Sequence, residues 1–252
     1  MFEVDRRERV RTQLLDRARD DERIVGAAIT GSAASGREDR WSDIDLFLGV
    51  AVGIEVEEVL ADWSSFVYRE LGALHHFDLR PGTQVYRAFL LDGPLEIDLG
   101  FTPSADFRPV GDGGFQVVFG TPGGRRALPS VDPEHLIGLT WHHVLHARIA
   151  IERGAPWQAE HWISAVRDHT ITLACHRLGL PTSYAKGADA LPPEVTAPIG
   201  EAFVRSLDTG ELARALRAAT EAFLTELQVA DPSVLTTLQE PLRDIGMSVP
   251  PA

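Results

Sequence analysis

The apolar positions of this chain change rhythm several times. Residues 4–22 are dense in Arg, Asp and Glu with Val10, Leu14 and Leu15 interspersed, a pattern that predicts a surface helix. Ile24 to Thr30 is then a continuous apolar run ending at Gly31, and Ile44 to Val50 is a second. Short runs of this kind bounded by turn residues predict buried strands. Over 54–71 the period becomes helical, with Val56, Val59, Leu60, Trp63, Phe66, Val67 and Leu71 on one face and Gly72 following as a cap. Strand-like runs return at 74–80, 84–91 and 94–101.

Residues 103–131 are rich in Gly, Pro and Asp and predict a linker with one short strand at 115–119. Beyond it every pattern is helical. Asp132-Pro133 reads as an N-cap followed by proline in the first turn, and Gly154 ends that helix. Pro156 opens the next, which ends near Gly179. Pro193 opens a third, Asp208-Thr209-Gly210-Glu211 reads as a capping box opening a fourth, and Asp231-Pro232 opens a fifth. The expected fold class is α+β, with a mixed sheet and its helices over 1–128 and an all-α bundle over 129–252.

A length of 252 residues suits two modest domains, and 44% apolar residues is enough for a sizeable core. The formal charge is −13, with no long basic run, so a long nucleic acid is not an expected partner; a cationic small molecule suits the charge better. Cys175 is the only cysteine, which fits a reducing compartment. The first residues lack an apolar targeting core and no apolar stretch is long enough to cross a bilayer, so no membrane contact and a cytoplasmic location are expected.

The chemistry sits between the first two strands. Gly31-Ser32 ends one, a polar segment with Gly36 and Arg37 follows, and Asp43-Ile44-Asp45 opens the next. Residues i and i+2 of a strand share a face, so Asp43 and Asp45 present two carboxylates side by side while Ile44 turns inward. Such a pair suits a divalent cation, and magnesium favours few carboxylates plus phosphate oxygens. Gly31 allows close approach of backbone to a phosphate, and amides near Ser32 can form an anion-binding nest. In Leu95-Glu96-Ile97-Asp98-Leu99, Glu96 and Asp98 share a face. A neighbouring strand would bring Asp98 beside the pair as metal ligand, general base or both, with Glu96 the alternative base.

Gly-Ser, ten residues, then Asp-x-Asp resembles the signature of the DNA polymerase β-like nucleotidyltransferase superfamily, and Asp98 matches its third carboxylate. The resemblance covers residues 24–101. With the helical half appended, the arrangement is similar to bacterial antibiotic nucleotidyltransferases, which adenylylate hydroxyls of aminoglycosides or lincosamides. The resemblance implies that Asp43, Asp45 and Asp98 hold Mg2+ on a nucleoside triphosphate such as ATP. It also implies that Gly31 and Ser32 hold the β- and γ-phosphates, and that Asp98 assists the acceptor hydroxyl as pyrophosphate leaves. The implied acceptor is a small molecule, in particular an aminoglycoside-like antibiotic. Two other functions compete: a protein-adenylylating, antitoxin-like enzyme, usually a much shorter chain, and a non-catalytic nucleotide-binding module, against which three intact carboxylates argue.

Several further residues are candidates. Enzymes of this kind use a lysine or arginine of the helical domain on the triphosphate, which implies Lys186, with Arg167 and Asp168 as alternatives; Arg37 and Arg40 flank the phosphate loop. Glu160, Asp168 and Asp189 are expected acceptor contacts in a cleft between the domains. His142 and His146, four apart, would face one another without a partner to complete a zinc site. Eight residues separate Arg167 from His176, which misses the spacing of RNase toxins whose helical fold the bundle resembles. Trp141, Leu145 and Ile149 are expected in the core, while Trp157 and Trp162 suit either the core or substrate stacking.

Overall fold

The computed structural model describes residues 3–247, which divide into two compact units at Pro129/Ser130. In the first, α1 (Val4–Asp20) leads into β1 (Ile24–Thr30), the one-turn α2 (Gly31–Ala34), β2 (Ile44–Val50) and α3 (Val56–Glu70). Strands β3 (Ala73–Leu79), β4 (Val85–Leu91), β5 (Leu95–Pro103) and β6 (Phe115–Phe119) follow. All six strands form one sheet in the order β3-β4-β5-β2-β1-β6. Only β2 and β5 pair in parallel; their neighbours are antiparallel.

Strand alternation sorts the two faces. Ile44, Leu46, Leu48 and Val50 of β2 and Leu95, Ile97, Leu99 and Phe101 of β5 join the core beneath α1 and α3. α1 contributes Val10, Leu14 and Ala18, and α3 contributes Val59, Leu60, Trp63 and Val67. Trp63 is fully buried against Phe101 at 5.5 Å between ring centroids, and its indole donates to the Asp21 carboxylate at 2.9 Å. Truncating it to alanine would cost about 3–5 kcal/mol. The opposite face carries the side chains of Asp45, Phe47, Glu96 and Asp98. At one end of this face Phe107 folds back over Gly26 and Gly49, where an added Cβ would strike its ring at Gly26 and crowd it at Gly49.

The segment 103–131 is not a free linker. β6 completes the sheet beside β1, Phe107 is buried, and Gly111, Pro109 and Arg126 exchange backbone hydrogen bonds. Its glycines and prolines shape turns around these anchors, which composition alone does not separate from flexibility.

The second unit contains α4 (Pro133–Glu152), α5 (Pro156–Arg177), α6 (Pro193–Gly200), α7 (Thr209–Ala230) and α8 (Pro232–Met247), with two short 3-10 turns between α5 and α6. Asp132 caps α4 by accepting from the amides of Glu134 and His135. At α7 the capping box does not close: the Asp208 side chain accepts from Ser206 Oγ at 2.7 Å, and Glu211 is drawn to Arg214 and to the Arg205 amide. A nearby guanidinium and a competing hydroxyl outbid the helix's own amides. The core of α4 is also displaced from its expected face. Val144, Ala147 and Ala150 are buried, whereas Trp141 (41%) and Leu145 (37%) are exposed. Small residues there let α5 and α7 pack closely against α4.

Candidate active site

Three carboxylates meet where β2 and β5 run side by side. The parallel register places Asp45 directly opposite Asp98, and Asp43 lies one residue before β2 begins. One oxygen of each of Asp43, Asp45 and Asp98 lies within 4.8 Å of the others, and all three residues are half-buried. Among the described residues no other group of three acids, histidines or cysteines converges in this way.

The approach to Asp43 is held by residues whose sequence pattern gave no hint of it. Arg7 of α1 is 3% exposed and donates to the backbone oxygens of Asp39 and Ser42 at 2.5 and 3.0 Å. Arg11 and Arg7 both pair with Glu38. Asp39 accepts from the Trp41 amide at 2.8 Å and from Ser42 Oγ, while its own amide donates to Ser42 Oγ at 2.9 Å. These bonds close the turn that delivers Asp43. In the sequence, Arg7 is one of many charges on a helix that reads as a solvated surface; only its burial marks it.

Gly31 follows β1 with φ +64°, and a Cβ there would fall on the Asp45 carboxylate, 2.6 Å from its Cγ. The loop and the acid therefore occupy adjoining space, and only glycine satisfies both constraints. Ser32 Oγ is buried without a hydrogen-bond partner, and so is one carboxylate oxygen of Asp98. Buried polar atoms without partners are costly and rare. Burial raises the Asp98 carboxyl to about 6, with the Glu96 and Asp43 charges adding to the effect. Glu96 is exposed on the same face, one pleat away.

The donor set fits a hard divalent cation. Three clustered carboxylate oxygens, one on an acid that resists ionising alone, match the oxygen ligands magnesium prefers. Ser32 lacks an acceptor, which a phosphate oxygen would provide.

The remaining candidates stand elsewhere. Arg37 donates to Ser35 Oγ at 3.4 Å, and Arg40 stacks on Trp41 at 4.3 Å. In the second unit Lys186 is exposed in the turn after α5, 6.0 Å from the Tyr184 ring, and Tyr184 and Ala185 both have positive φ. Arg167 lies over Phe203 at 4.6 Å and pairs with Asp168 at 3.3 Å. Glu160 accepts from Ser164, and Asp168 and Asp189 are exposed.

A second cluster escaped the sequence reading. His142 and His146 do face one another, with ring centroids 4.2 Å apart, but they belong to a larger assembly on α4 and α5. His143 Nδ1 lies 3.1 Å from His169 Nε2, and Trp162 packs against His143, His146 and His161. Burial, then the neighbouring His169, His142, His161 and His146, lowers His143 to about 4. Burial also lowers His169, with His135 adding to the effect and Asp168 opposing it. Trp157 is 76% exposed, outside the core.

No protein-family model matches this chain, and no curated protein matches it. Solved structures that match include a crystal structure of an aminoglycoside 6-adenyltransferase from Bacillus subtilis, 12% identical over 96% of this chain and 99% of that one, with a TM-score of 0.37. A score that low carries no weight for function, and the carboxylate geometry stands without it.

Proposed function

We propose that the chain is a Mg2+-dependent nucleotidyltransferase that transfers a nucleoside monophosphate, AMP from ATP in the simplest case, to a hydroxyl of a small molecule. The observation that carries this reading is the convergence of Asp43, Asp45 and Asp98 beside a glycine-led turn whose serine hydroxyl has no partner.

In this reading Asp43, Asp45 and Asp98 hold magnesium, and Gly31 and Ser32 receive the β- and γ-phosphates, Ser32 Oγ donating to a phosphate oxygen. Magnesium, when bound, neutralises charge developing on the phosphates. Asp98, or Glu96 beside it, accepts the proton of the acceptor hydroxyl as that oxygen bonds to the α-phosphorus. The bond from α-phosphorus to the bridging oxygen breaks, and pyrophosphate leaves.

Glu96 adds negative charge on the same face and no lysine or arginine of β2 or β5 offsets it. Such a rim favours a cationic acceptor, an amino sugar being one class. The test is incubation with α-labelled ATP or GTP and Mg2+ against aminoglycosides, lincosamides and neutral polyols. Labelled product with stoichiometric pyrophosphate is the expected result. If no acceptor is labelled, and calorimetry detects neither nucleotide with Mg2+, the reading falls.

A further inference from the structure

The sheet has two edges, and they are built differently. β6 has five residues, its register against β1 breaks at Ala27/Ala28, and Gly120, Pro122, Gly123 and Gly124 follow it closely. β3 has seven residues and pairs with β4 on one side, with no strand on its other side among the described residues.

An open strand edge is a template for another strand, and proteins guard such edges with lysine, proline, bulges or unpaired charge. β3 has neither lysine nor proline. Its single acid, Asp78, is bound to Arg87 at 2.6 Å and Arg80 at 3.0 Å, so it is not an unpaired charge guarding the edge. The one bulge lies at Ala73/His75 and leaves 75–79 regular. The edge is also apolar: Phe77 is 54% exposed, Leu79 55% and the neighbouring Leu90 of β4 45%, all on the face that carries the carboxylates.

Such an edge calls for an extended strand, and its sequence selects which one. For two copies of β3 meeting antiparallel about a two-fold axis, each register centres on one residue. Centring on Asp78 sets Phe77 against Leu79, but also sets the acid against itself and His76 against Arg80. Centring on His76 sets Leu74 against Asp78. Centring on Phe77 sets Phe77 against Phe77, Leu79 against His75 and His76 against Asp78, with apolar contacts on one face and an imidazole opposite an acid on the other, and its one mismatch, Leu74 against Arg80, lies outside the regular 75–79 ladder.

We propose that β3 is the seam of a homodimer, in which two copies pair antiparallel about Phe77 and their six-stranded sheets join into one. A two-fold axis normal to the joined sheet keeps both carboxylate clusters on the same face. The regular ladder is short, so the dimer belongs among small, concentration-dependent interfaces.

Sedimentation equilibrium of the full chain, in a series reaching about 0.1 mM, tests the association. The expected result is a monomer–dimer equilibrium that Phe77→Lys/Leu79→Lys shifts to monomer while circular dichroism is unchanged, both residues being exposed. Phe77→Cys tests the register. Directly opposed residues have Cα atoms about 4.5–5.5 Å apart, within disulfide reach, so mild oxidation should link the two copies. Cys175 is buried and gives little background. A chain that stays monomeric throughout overturns the proposal, as does a dimer that the double lysine variant leaves intact. A dimer that the lysines disperse but Phe77→Cys does not link overturns the pairing about Phe77.

Discussion

Two clusters of like groups, one in each unit, meet opposite fates. On β2 and β5, carboxylates crowd together and burial holds the Asp98 carboxyl up to about 6. On α4 and α5, imidazoles crowd together and burial holds His143 down to about 4. Both shifts disfavour charge, by desolvation first and like neighbours second. The difference lies in what remains at neutral pH. His143 and His169 are simply neutral, hydrogen-bonded to each other, with Trp162 packed against His143. Asp98 is still mostly ionised and lacks a hydrogen-bond partner for one buried oxygen, so that carboxylate keeps a demand for a donor or a cation. Crowding alone does not make a site; crowding with unmet demand does.

The comparison breaks most visibly in turnover. Asp43→Asn or Asp45→Asn should lower Mg2+-dependent transfer by about 1,000-fold, corresponding to several kcal/mol of lost metal stabilisation, with circular dichroism unchanged. Near-parental rates in an assay that works for the parent would return these acids to ordinary strand residues.

The histidine cluster should instead register in stability. His143 is lowered in the folded state, so between pH 6.5 and about 4 the unfolded chain binds the extra proton. Its contribution is complete above pH 6.5 and is lost as pH falls toward 4, by about 1–2 kcal/mol for a half-buried group. Urea midpoints at pH 7.5 and 5.0 should separate more in the parent than in His143→Phe. Equal separations would show the imidazole pair to be indifferent to protons.

The smallest effect sharpens the contrast. Asp98 has a raised carboxyl, so its ionisation opposes folding as pH rises through about 6. Asp98→Asn should therefore stabilise the metal-free protein by about 1 kcal/mol at pH 7.5 while transfer is lost. Mg2+ should raise the melting temperature of the parent and not of the variant. A variant less stable than the parent would mean the carboxylate is held by contacts that outweigh the repulsion.

Much of this was legible in the chain. Apolar runs ending at glycine, period changes and proline-led helix starts delivered every principal element of both units, and the Gly31-Ser32, Asp43, Asp45 and Asp98 pattern named the residues that converge. What escaped is what local pattern does not encode. Arg7 looks like any surface arginine until a turn thirty-odd residues away folds onto it. The histidine assembly needs the packing of α4 on α5, since His143 and His169 are twenty-six residues apart. The short strand expected at 115–119 is β6, but the rest of 103–131 has a loop's composition, and only the burial of Phe107 and the bonds between Pro109, Gly111 and Arg126 show that it is anchored. The capping box at α7 failed because Arg214 competes for Glu211, a rivalry that a four-residue motif does not contain.

The parallel pairing of Asp45 with Asp98 has a consequence for how the molecule wears out. β5 and β2 are interior strands, with two strands beyond them on either side. Their amides should exchange with deuterium only through global opening, among the slowest in the chain. Turns and edges will breathe, fray and be nicked long before these two acids change their spacing. Heat should therefore not bleed activity away gradually through a loosening centre. Loss of function and loss of the fold should arrive together, in one cooperative step.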